Sequence, residues 1–307
     1  MNLVFDIIII IACLGGLWAG ASWLVESSVS IARKIGISEL VIGLTVISMG
    51  TSAPEFAVTI LSALKGHANI SVGNIVGSNI FNLGFILGGV ALVQPIVTSD
   101  TIVKRDGSVL IFATFLLLFI FLDLHLSFWE GMLLISLLIC YILCLFFYRE
   151  PISEKVTAGT FNWYQPFKLL TGLAAILLSS HFLVDSASSL ARTFGVSEWV
   201  IGVTIVAMGT STPELVTSLV AVLRGHYGLS AGNLIGSDIF NLLGVLGVAG
   251  ALQSLTVSPE AYGSLLLLCG MVVTVVIMMR TGWKVSRIEG GILVCIGMAR
   301  WIMDFTR

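Results

Sequence analysis

Long apolar stretches separated by short polar segments run through the whole chain. An α-helix needs about 20 predominantly apolar residues to cross the hydrocarbon core of a bilayer. Ten stretches meet this requirement and are predicted as spans, at roughly 3–31, 38–64, 70–93, 106–124, 127–148, 167–191, 197–223, 229–252, 261–280 and 288–305. The polar segment 149–166 between the fifth and sixth spans is too short for a folded domain, so we predict it to be a linker.

The second half of the chain repeats the first. Residues 32–84 align with 191–243 at a constant offset of 159 positions without a gap, and 27 of the 53 aligned pairs are identical. Each half holds five spans, and an odd number forces the second half to enter the membrane upside down. We therefore predict an all-α membrane protein of two inverted five-helix repeats, 1–148 and 167–307. Inverted repeats are typical of secondary transporters, whose substrate site lies at the repeat junction near the membrane midplane.

The composition agrees with a membrane location and excludes soluble and nucleic-acid-binding classes of protein. Of 307 residues, 57% are hydrophobic and 10% are charged, and the mean hydropathy is +1.06. Soluble domains carry about 25% charged residues. A net charge of −2 offers no basic surface to nucleic acid. The five cysteines have no metal-binding spacing, and we expect no cofactor.

Lys and Arg residues are distributed unevenly between the predicted loops, which sets the orientation. Eleven of them lie on one predicted side and four on the other. Because the side richer in Lys and Arg faces the cytoplasm, we predict a multi-pass protein of the cell membrane. Both termini are expected outside, and the linker 149–166 is expected in the cytoplasm.

The first cluster of polar residues interrupts the second and seventh spans. Residues 50–55 (GTSAPE) recur as 209–214 (GTSTPE). The proline of each motif removes a backbone donor, and the Thr and Ser hydroxyls can cap a new helix start. We therefore expect helices two and seven to be broken near mid-membrane. Broken backbone is tolerated in a bilayer only where it lines a cavity or is buried in protein. Each repeat thus has a helix break beside a buried carboxylate, and this pair of breaks predicts a cation site at Glu55 and Glu214.

A second polar cluster follows on the third and eighth spans, where residues 73–82 (GNIVGSNIFN) recur as 232–241 (GNLIGSDIFN). Three polar residues spaced i, i+4 and i+8 share one face of each helix. They are Asn74, Ser78 and Asn82 in the first repeat and Asn233, Ser237 and Asn241 in the second. The first Asn of each set either orients ligands or holds the broken helix. The glycines of each motif form a small-xxx-small pair that we expect to pack on the preceding broken helix.

Together the two clusters predict a pocket of carboxylate, hydroxyl, amide and backbone oxygens. No Cys or His joins it, and coordination by oxygen alone favours hard cations such as Ca²⁺ and Na⁺. Two glutamates facing each other in a low dielectric cannot both stay charged without cations. One Ca²⁺ or several monovalent ions neutralise the same pair and so compete for it. Competition, combined with two exclusive orientations of the repeats, is the physical basis of antiport.

These motifs resemble those of the calcium/cation antiporter superfamily, and the chain is similar to the prokaryotic sodium/calcium exchangers over its ten-span length. The resemblance implies that helices one and six slide against the other eight, and that Glu55 and Glu214 are the central cation ligands. It further implies hydroxyl and carbonyl ligands at Thr51, Ser52, Thr210, Ser211, Ser78 and Ser237, and backbone carbonyl ligands at Ser48 and Ala207.

One position departs from the sodium-coupled pattern, in which many members pair an Asn in the first repeat with an Asp in the second. This chain has Asn82 and Asn241, and Asp238 one turn earlier is a candidate for the missing charge. The coupling ion therefore stays open between Na⁺, our main hypothesis, and H⁺ carried by the two glutamates. A cation channel and an intramembrane enzyme are weaker alternatives. The expected partners are Ca²⁺, a monovalent cation and the lipid bilayer, and a monomer is compatible with them.

Overall fold

The computed structural model describes residues 3–147, 162–196, 205 and 207–305. Most of the predicted linker, and the start of the predicted seventh span, lie outside these residues. The helices are α1 (Leu3–Ile35), α2 (Glu39–Thr51), α3 (Ala53–Leu64), α4 (Ala68–Val93), α5 (Ile102–Asp123), α6 (Phe128–Phe147), α7 (Gln165–Thr193), α8 (Ala207–Thr210), α9 (Thr212–Leu223), α10 (Tyr227–Leu252), α11 (Glu260–Arg280) and α12 (Arg287–Phe305).

Seven helices within the described residues are long and apolar enough to cross a membrane, and the bent pair α2 and α3 adds an eighth. The seven are α1, α4, α5, α6, α7, α10 and α11. The helix α9 is shorter, because it begins directly after Ser211, and the start of its predicted span is outside the described residues. The helix α12 coincides with the predicted tenth span, but it carries four charged residues and is not among the seven. The chain is therefore a mostly helical membrane protein.

Two short antiparallel strand pairs join the repeats, which the all-α prediction did not include. Strand β1 (Ile96–Val97) pairs with β4 (Lys284–Val285), and β2 (His125–Leu126) pairs with β3 (Leu255–Thr256). All four are two-residue segments of interhelical loops. Extended loops that lie side by side satisfy their backbone groups by pairing with each other, a long-range effect that hydrophobic patterning does not indicate.

The helices α4 and α10 lie at the centre of the described part of the chain and are the most buried of the seven apolar helices. The helix α1 packs along α7 and also contacts α9 and α2. The helix α6 of the first half packs on the end of α10, and α12 of the second half packs in the same way on the end of α4. The halves are thus interleaved.

The close contacts of α6 with α10, and of α12 with α4, depend on glycine. A Cβ at Gly131 on α6 would lie 2.7 Å from the Gly247 carbonyl oxygen, and one at Gly290 on α12 would lie 2.6 Å from the Gly88 carbonyl oxygen. The two contacts lie at equivalent positions of the repeats. Since a carbonyl oxygen of the main chain cannot move aside as a side chain can, both positions require glycine for this packing.

The helix α10 also packs closely on α2. A Cβ at Gly232 would lie 2.6 Å from the Leu40 carbonyl oxygen, and one at Gly236 would lie 2.6 Å from the Leu44 Cα. The predicted neighbour of these glycines was the broken helix that precedes them in their own repeat. That prediction is wrong for α10, because the broken helix of the other repeat fills this groove. It is wrong for α4 as well, because no described atom lies within 4 Å of a Cβ built at Gly73 or Gly77.

Candidate cation site

The break between α2 and α3 occurs where the sequence predicts it. Ser52 has φ −79° and ψ 12°, Pro54 lies in the first turn of α3, and the two helices are bent by 50°. Ser211 has almost the same conformation, with φ −92° and ψ 7°, and Pro213 lies in the first turn of α9. Each break therefore places a glutamate in the first turn of the helix that follows, where the partial positive charge of the helix start favours a carboxylate.

The two glutamates are buried and hydrogen-bonded crosswise between the repeats. Ser52 donates from Oγ to Oε1 of Glu214 at 2.9 Å, and Ser211 donates from Oγ to Oε1 of Glu55 at 3.0 Å. Glu55 is 1% exposed and Glu214 is fully buried. The second carboxylate oxygen of each, Oε2, has no hydrogen-bond partner in the described part of the chain. The breaks thus bring two carboxylates together with one free oxygen each.

Two asparagines hold the broken helices in equivalent ways. Asn74 donates from Nδ2 to the Glu55 carbonyl at 3.2 Å and to Thr59 Oγ1 at 2.9 Å. Asn233 donates to the Glu214 carbonyl at 3.4 Å, and also to Ser218 Oγ at 2.9 Å. These contacts tie each polar stripe to the backbone that carries the glutamate. Of the two roles left open by the sequence, these contacts favour holding the broken helices.

Thr51 adds a contact to one of these asparagines. Its Oγ1 lies 3.2 Å from Asn233 Oδ1, and its single O–H can donate there or to the Ile47 or Ser48 carbonyl of its own helix. Thr51 and Ser237 also interact with the Glu214 carboxylate, as Thr210 does with that of Glu55. These predicted hydroxyl ligands therefore surround the two glutamates.

The predicted ligands Ser237 and Ser78 occupy equivalent positions of the repeats but donate to different carbonyls. Ser237 donates from Oγ to the Ser48 carbonyl at 3.4 Å, which brings two predicted ligands of different repeats together. Ser78 instead donates to the Asn74 carbonyl of its own helix at 2.7 Å. Ala207 is the first residue of α8, which leads to the break at Ser211. Its carbonyl stays a predicted ligand.

A second polar layer joins α4 to α10 beside the glutamates. Asn82 donates from Nδ2 to Asp238 Oδ1 at 3.0 Å, and Asn241 donates from Nδ2 to Asn79 Oδ1 at 3.1 Å. Asn79 in turn donates to the Asp238 carbonyl at 3.1 Å. Asn79 is not among the ligands predicted from the sequence. The repeat itself contains the signal, because Asn79 occupies the position equivalent to Asp238.

The chemistry of the site is that of oxygen ligands. Glu55, Glu214 and Asp238 contribute carboxylates, and the remaining polar groups are hydroxyls, amides and backbone carbonyls. No three His, Cys, Asp or Glu side chains form a metal-binding cluster in the described ranges. A cation here would therefore be held by the two glutamates together with neutral oxygens, an arrangement that suits hard cations.

A cavity of ≈ 620 Å³ reaches this site along α4. Its walls come from the first half of α4, the start of α11 and the end of α12. Asn74, Ser78 and Thr210 of the candidate site line it, as do Glu260 and Arg300 on the other two helices. The site is thus connected to a space large enough for hydrated ions.

A sequence model of the family described as "Sodium/calcium exchanger protein" matches residues 5–147 and 165–296. The chain belongs to the sodium/calcium exchanger family. The superfamily resemblance inferred from the motifs is thereby confirmed.

Relatives are similar over nearly the whole chain. The putative antiporter CaxA of Alkalimonas amylolytica is 35% identical over 306 residues, which cover 95% of this chain and 96% of the relative. The sodium/calcium exchanger MaX1 of Methanosarcina acetivorans is 30% identical over 332 residues, with 93% and 94% covered. A structure of the sodium-calcium exchanger NCX_Mj, soaked with zero Na⁺ and Ca²⁺, matches with a TM-score of 0.87 and 28% identity. That match covers 97% of this chain and 98% of the other.

Membership in the family fixes the class of activity. The family and its structural neighbours are transporters, so the chain is a Ca²⁺/cation antiporter of a membrane. It is not an enzyme, and the intramembrane-enzyme alternative is wrong.

Proposed function

We propose that the protein exchanges Ca²⁺ for Na⁺ by alternating access, with Glu55 and Glu214 as the central ligands of a shared site. The observation that carries the proposal is the crosswise pairing of each glutamate with the serine at the other break. Because each carboxylate is oriented by the opposite repeat, any movement between the repeats alters both halves of the site at once. This coupling is what an exchanger needs and a rigid structural pair does not.

The strand pairs support the inverted ten-helix arrangement within this proposal. Strands β1 and β3 occupy equivalent positions of the two repeats, 159 residues apart. Strands β1 and β2 flank α5, which has 22 residues and is therefore about 33 Å long. Since β2 pairs with β3, strand β3 lies at the end of α5 away from β1. The equivalent strands β1 and β3 therefore lie at opposite ends of α5, as inversion of the repeats requires.

The cavity supports access from one end of the molecule. It opens beside the start of α11, which directly follows β3, and reaches Asn74, Ser78 and Thr210. The inverted repeats of this proposal are related by a pseudo-two-fold axis, which makes α10 the counterpart of α4. The face of α10 equivalent to the cavity wall is covered, because α2 packs on Gly232 and Gly236. The site is thus open on one side and closed on the equivalent side. This asymmetry is expected of one state in an alternating-access cycle.

The orientation proposed from Lys and Arg places this opening outside the cell. Both termini then lie outside, and the linker 149–166 lies in the cytoplasm. A reporter enzyme that is active only outside the cytoplasm, fused to the C terminus, is expected to be active. Activity only of the matching cytosolic reporter would overturn the orientation and leave the site proposal in place.

Exchange of Ca²⁺ for H⁺ is the second candidate function. It is favoured by the free Oε2 atoms of Glu55 and Glu214, since each could carry a proton in place of a cation. The same residues would serve both functions, so the imposed gradient has to distinguish them. We favour Na⁺ because the neutral oxygens that accompany the glutamates can coordinate a metal ion and are not needed to bind a proton.

The test is uptake of ⁴⁵Ca²⁺ into proteoliposomes with an imposed Na⁺ gradient. Glu55→Gln and Glu214→Gln are each expected to reduce uptake to background, because each removes a central charge with little change of shape. Glu130→Gln is the matched control. Glu130 caps α6 by accepting from the Ser127 backbone N–H at 2.8 Å, a role that glutamine can keep. Full transport in both site variants would refute the site assignment.

A further inference from the structure

Two turns of nearly the same shape connect each broken helix to the helix that follows it. Residues 65–67 (KGH) join α3 to α4, and residues 224–226 (RGH) join α9 to α10. Their central glycines have φ +76° and +82°, a left-handed conformation that glycine adopts at little cost. The histidines also agree, with φ −91° and ψ 64° at His67 and φ −88° and ψ 65° at His226. The two turns are therefore equivalent in structure as well as in sequence.

The turns lie at opposite ends of the transport path. Asn69, two residues after the first turn, lines the cavity and accepts at 2.8 Å from the backbone N–H of Ser258, in the loop after β3. The second turn leads into α10, whose 26 residues extend about 39 Å before β3 follows. The first turn is thus at the end where the cavity opens, and the second is at the end where α2 covers α10.

The second turn is tied to two further helices. His226 lies with Nδ1 2.9 Å from Oε2 of Glu39 at the start of α2, and Nδ1 carries the hydrogen because an ionised carboxylate can only accept. Arg33, near the end of α1, lies with Nη2 3.8 Å from Oε1 of the same glutamate. Arg224 donates from Nη1 to the Ser22 carbonyl of α1 at 3.3 Å. The turn therefore connects α9 and α10 to both α1 and α2.

Burial makes the contact with Glu39 depend on its partners. Glu39 is 5% exposed. A carboxylate removed from water is costly unless charged or hydrogen-bonding groups accompany it. Glu39 can therefore stay buried against α10 only while His226 and Arg33 remain beside it.

The first turn makes no equivalent contacts within the described residues. Lys65 and His67 are exposed, and their side chains form no hydrogen bond or ion pair with any described residue. The two turns have the same backbone and nearly the same side chains. The difference between them therefore lies in the helices that surround each one.

We infer that residues 224–226 form a latch that keeps one end of the transport path closed, an inference that rests on the proposed alternating access. The latch is engaged at the end where α2 covers α10. Its counterpart, residues 65–67, is released at the end where the cavity opens.

Opening of the closed end would break both ties of the latch. To uncover the start of α10, α2 has to move away, and it carries Glu39 away from His226. Sliding of α1 likewise separates Ser22 from Arg224. Loss of either tie is therefore expected to favour the opposite orientation, in which this end is open and the cavity end is closed. Arg224 and His226 are thus positioning residues of the exchange.

The test compares the accessibility of two equivalent positions, one at the start of α4 and one at the start of α10. Ile70 lines the cavity and is 56% exposed, whereas Leu229 is fully buried. Ile70→Cys and Leu229→Cys are introduced separately into the full chain. The rate at which a charged maleimide labels each new thiol is measured at a fixed Na⁺ concentration by peptide mass spectrometry, which distinguishes it from the native cysteines.

His226→Ala removes the hydrogen bond to Glu39 and is expected to change the ratio of the two labelling rates. Loss of a hydrogen bond to a charged group shifts an equilibrium by about 10- to 100-fold. The rate for Leu229→Cys divided by the rate for Ile70→Cys is expected to rise by that factor. The first rate rises and the second falls, because one orientation gains the population that the other loses.

A second variant tests the latch if His226→Ala does not fold. Arg224→Met removes the tie to α1 and leaves the contact between His226 and Glu39 in place. The Arg224 side chain is exposed, so its replacement leaves the buried core unchanged. This variant is expected to raise the ratio of labelling rates in the same direction.

Two further variants are matched controls. His67→Ala changes the equivalent residue of the released turn and is expected not to raise the ratio. His226→Asn places an amide N–H near the position of Nδ1–H and can donate to Glu39 in its place. It is expected to keep the ratio within about threefold of the value in the unmodified latch.

Three results would overturn the inference. The first is an unchanged ratio in either His226→Ala or Arg224→Met as a folded protein. The second is an equal rise of the ratio in His67→Ala. The third is faster labelling at Leu229→Cys without slower labelling at Ile70→Cys, which would show local loosening of the turn and no change of orientation.

Failure of the proposed function has a different outcome. In that case Glu55→Gln would retain ⁴⁵Ca²⁺ uptake, whatever the labelling rates show. Failure of the latch alone would leave uptake dependent on Glu55 and the labelling ratio independent of His226.

Discussion

The packing of α10 on α2 leads to a quantitative prediction for Gly236→Ala. The new Cβ would lie 2.6 Å from the Leu44 Cα and 2.8 Å from its carbonyl oxygen. Ordinary contacts begin near 3.4 Å, so the two helices must separate by about 0.8 Å. Main-chain atoms cannot yield by rotamer change, and overpacking of this kind costs about 1–3 kcal/mol. We expect Gly236→Ala to lower the free energy of unfolding by that amount.

Gly77→Ala is the matched control, because Gly77 occupies the equivalent position on α4. No described atom lies within 4 Å of a Cβ built there. Alanine is about 1 kcal/mol better than glycine inside a helix, so this variant is expected to be neutral or slightly stabilising. The assay is the fraction of protein that stays monodisperse in detergent after heating. The reasoning is refuted if Gly236→Ala survives heating as well as Gly77→Ala does.

Two further pairs of variants use the symmetry of the site. Ser52→Ala and Ser211→Ala each remove a hydrogen bond to a buried carboxylate, worth about 1.5–3 kcal/mol. Each is expected to weaken Ca²⁺ binding by roughly 10- to 100-fold in a titration of uptake against Ca²⁺ concentration, and an effect in only one of them would contradict the crosswise arrangement. Asn233→Ala removes three side-chain hydrogen bonds and Asn74→Ala removes two. Asn233→Ala is therefore expected to cost about 1 kcal/mol more in the same heating assay, and the reverse order would count against the positioning role.

Local features of the site were predictable from the sequence. A proline four residues after a glycine, followed by a glutamate, indicated both the breaks and the buried carboxylates, because the cause of each break lies within one helical turn. The i, i+4 spacing likewise indicated the polar faces. These predictions needed no knowledge of which helices are neighbours.

Contacts between the repeats could not be predicted in this way. Spacing along one helix does not say that Ser52 faces Glu214, since that contact joins residues 162 positions apart. The same holds for Glu39, an acidic residue at the start of α2. It is buried and lies 2.9 Å from His226 Nδ1 in the loop before α10. Long-range packing decides such contacts, and the repeat indicates only that they should occur in pairs.

Reversal of the imposed Na⁺ gradient shows whether Ca²⁺ movement is coupled to Na⁺ through Glu55 and Glu214. Proteoliposomes containing the protein are loaded with Na⁺ and diluted into ⁴⁵Ca²⁺ without Na⁺, and the same vesicles are then exposed to high external Na⁺. We predict Ca²⁺ uptake in the first condition and Ca²⁺ release in the second, with both abolished in Glu55→Gln. Ca²⁺ movement that follows an imposed H⁺ gradient and ignores the direction of the Na⁺ gradient would contradict it.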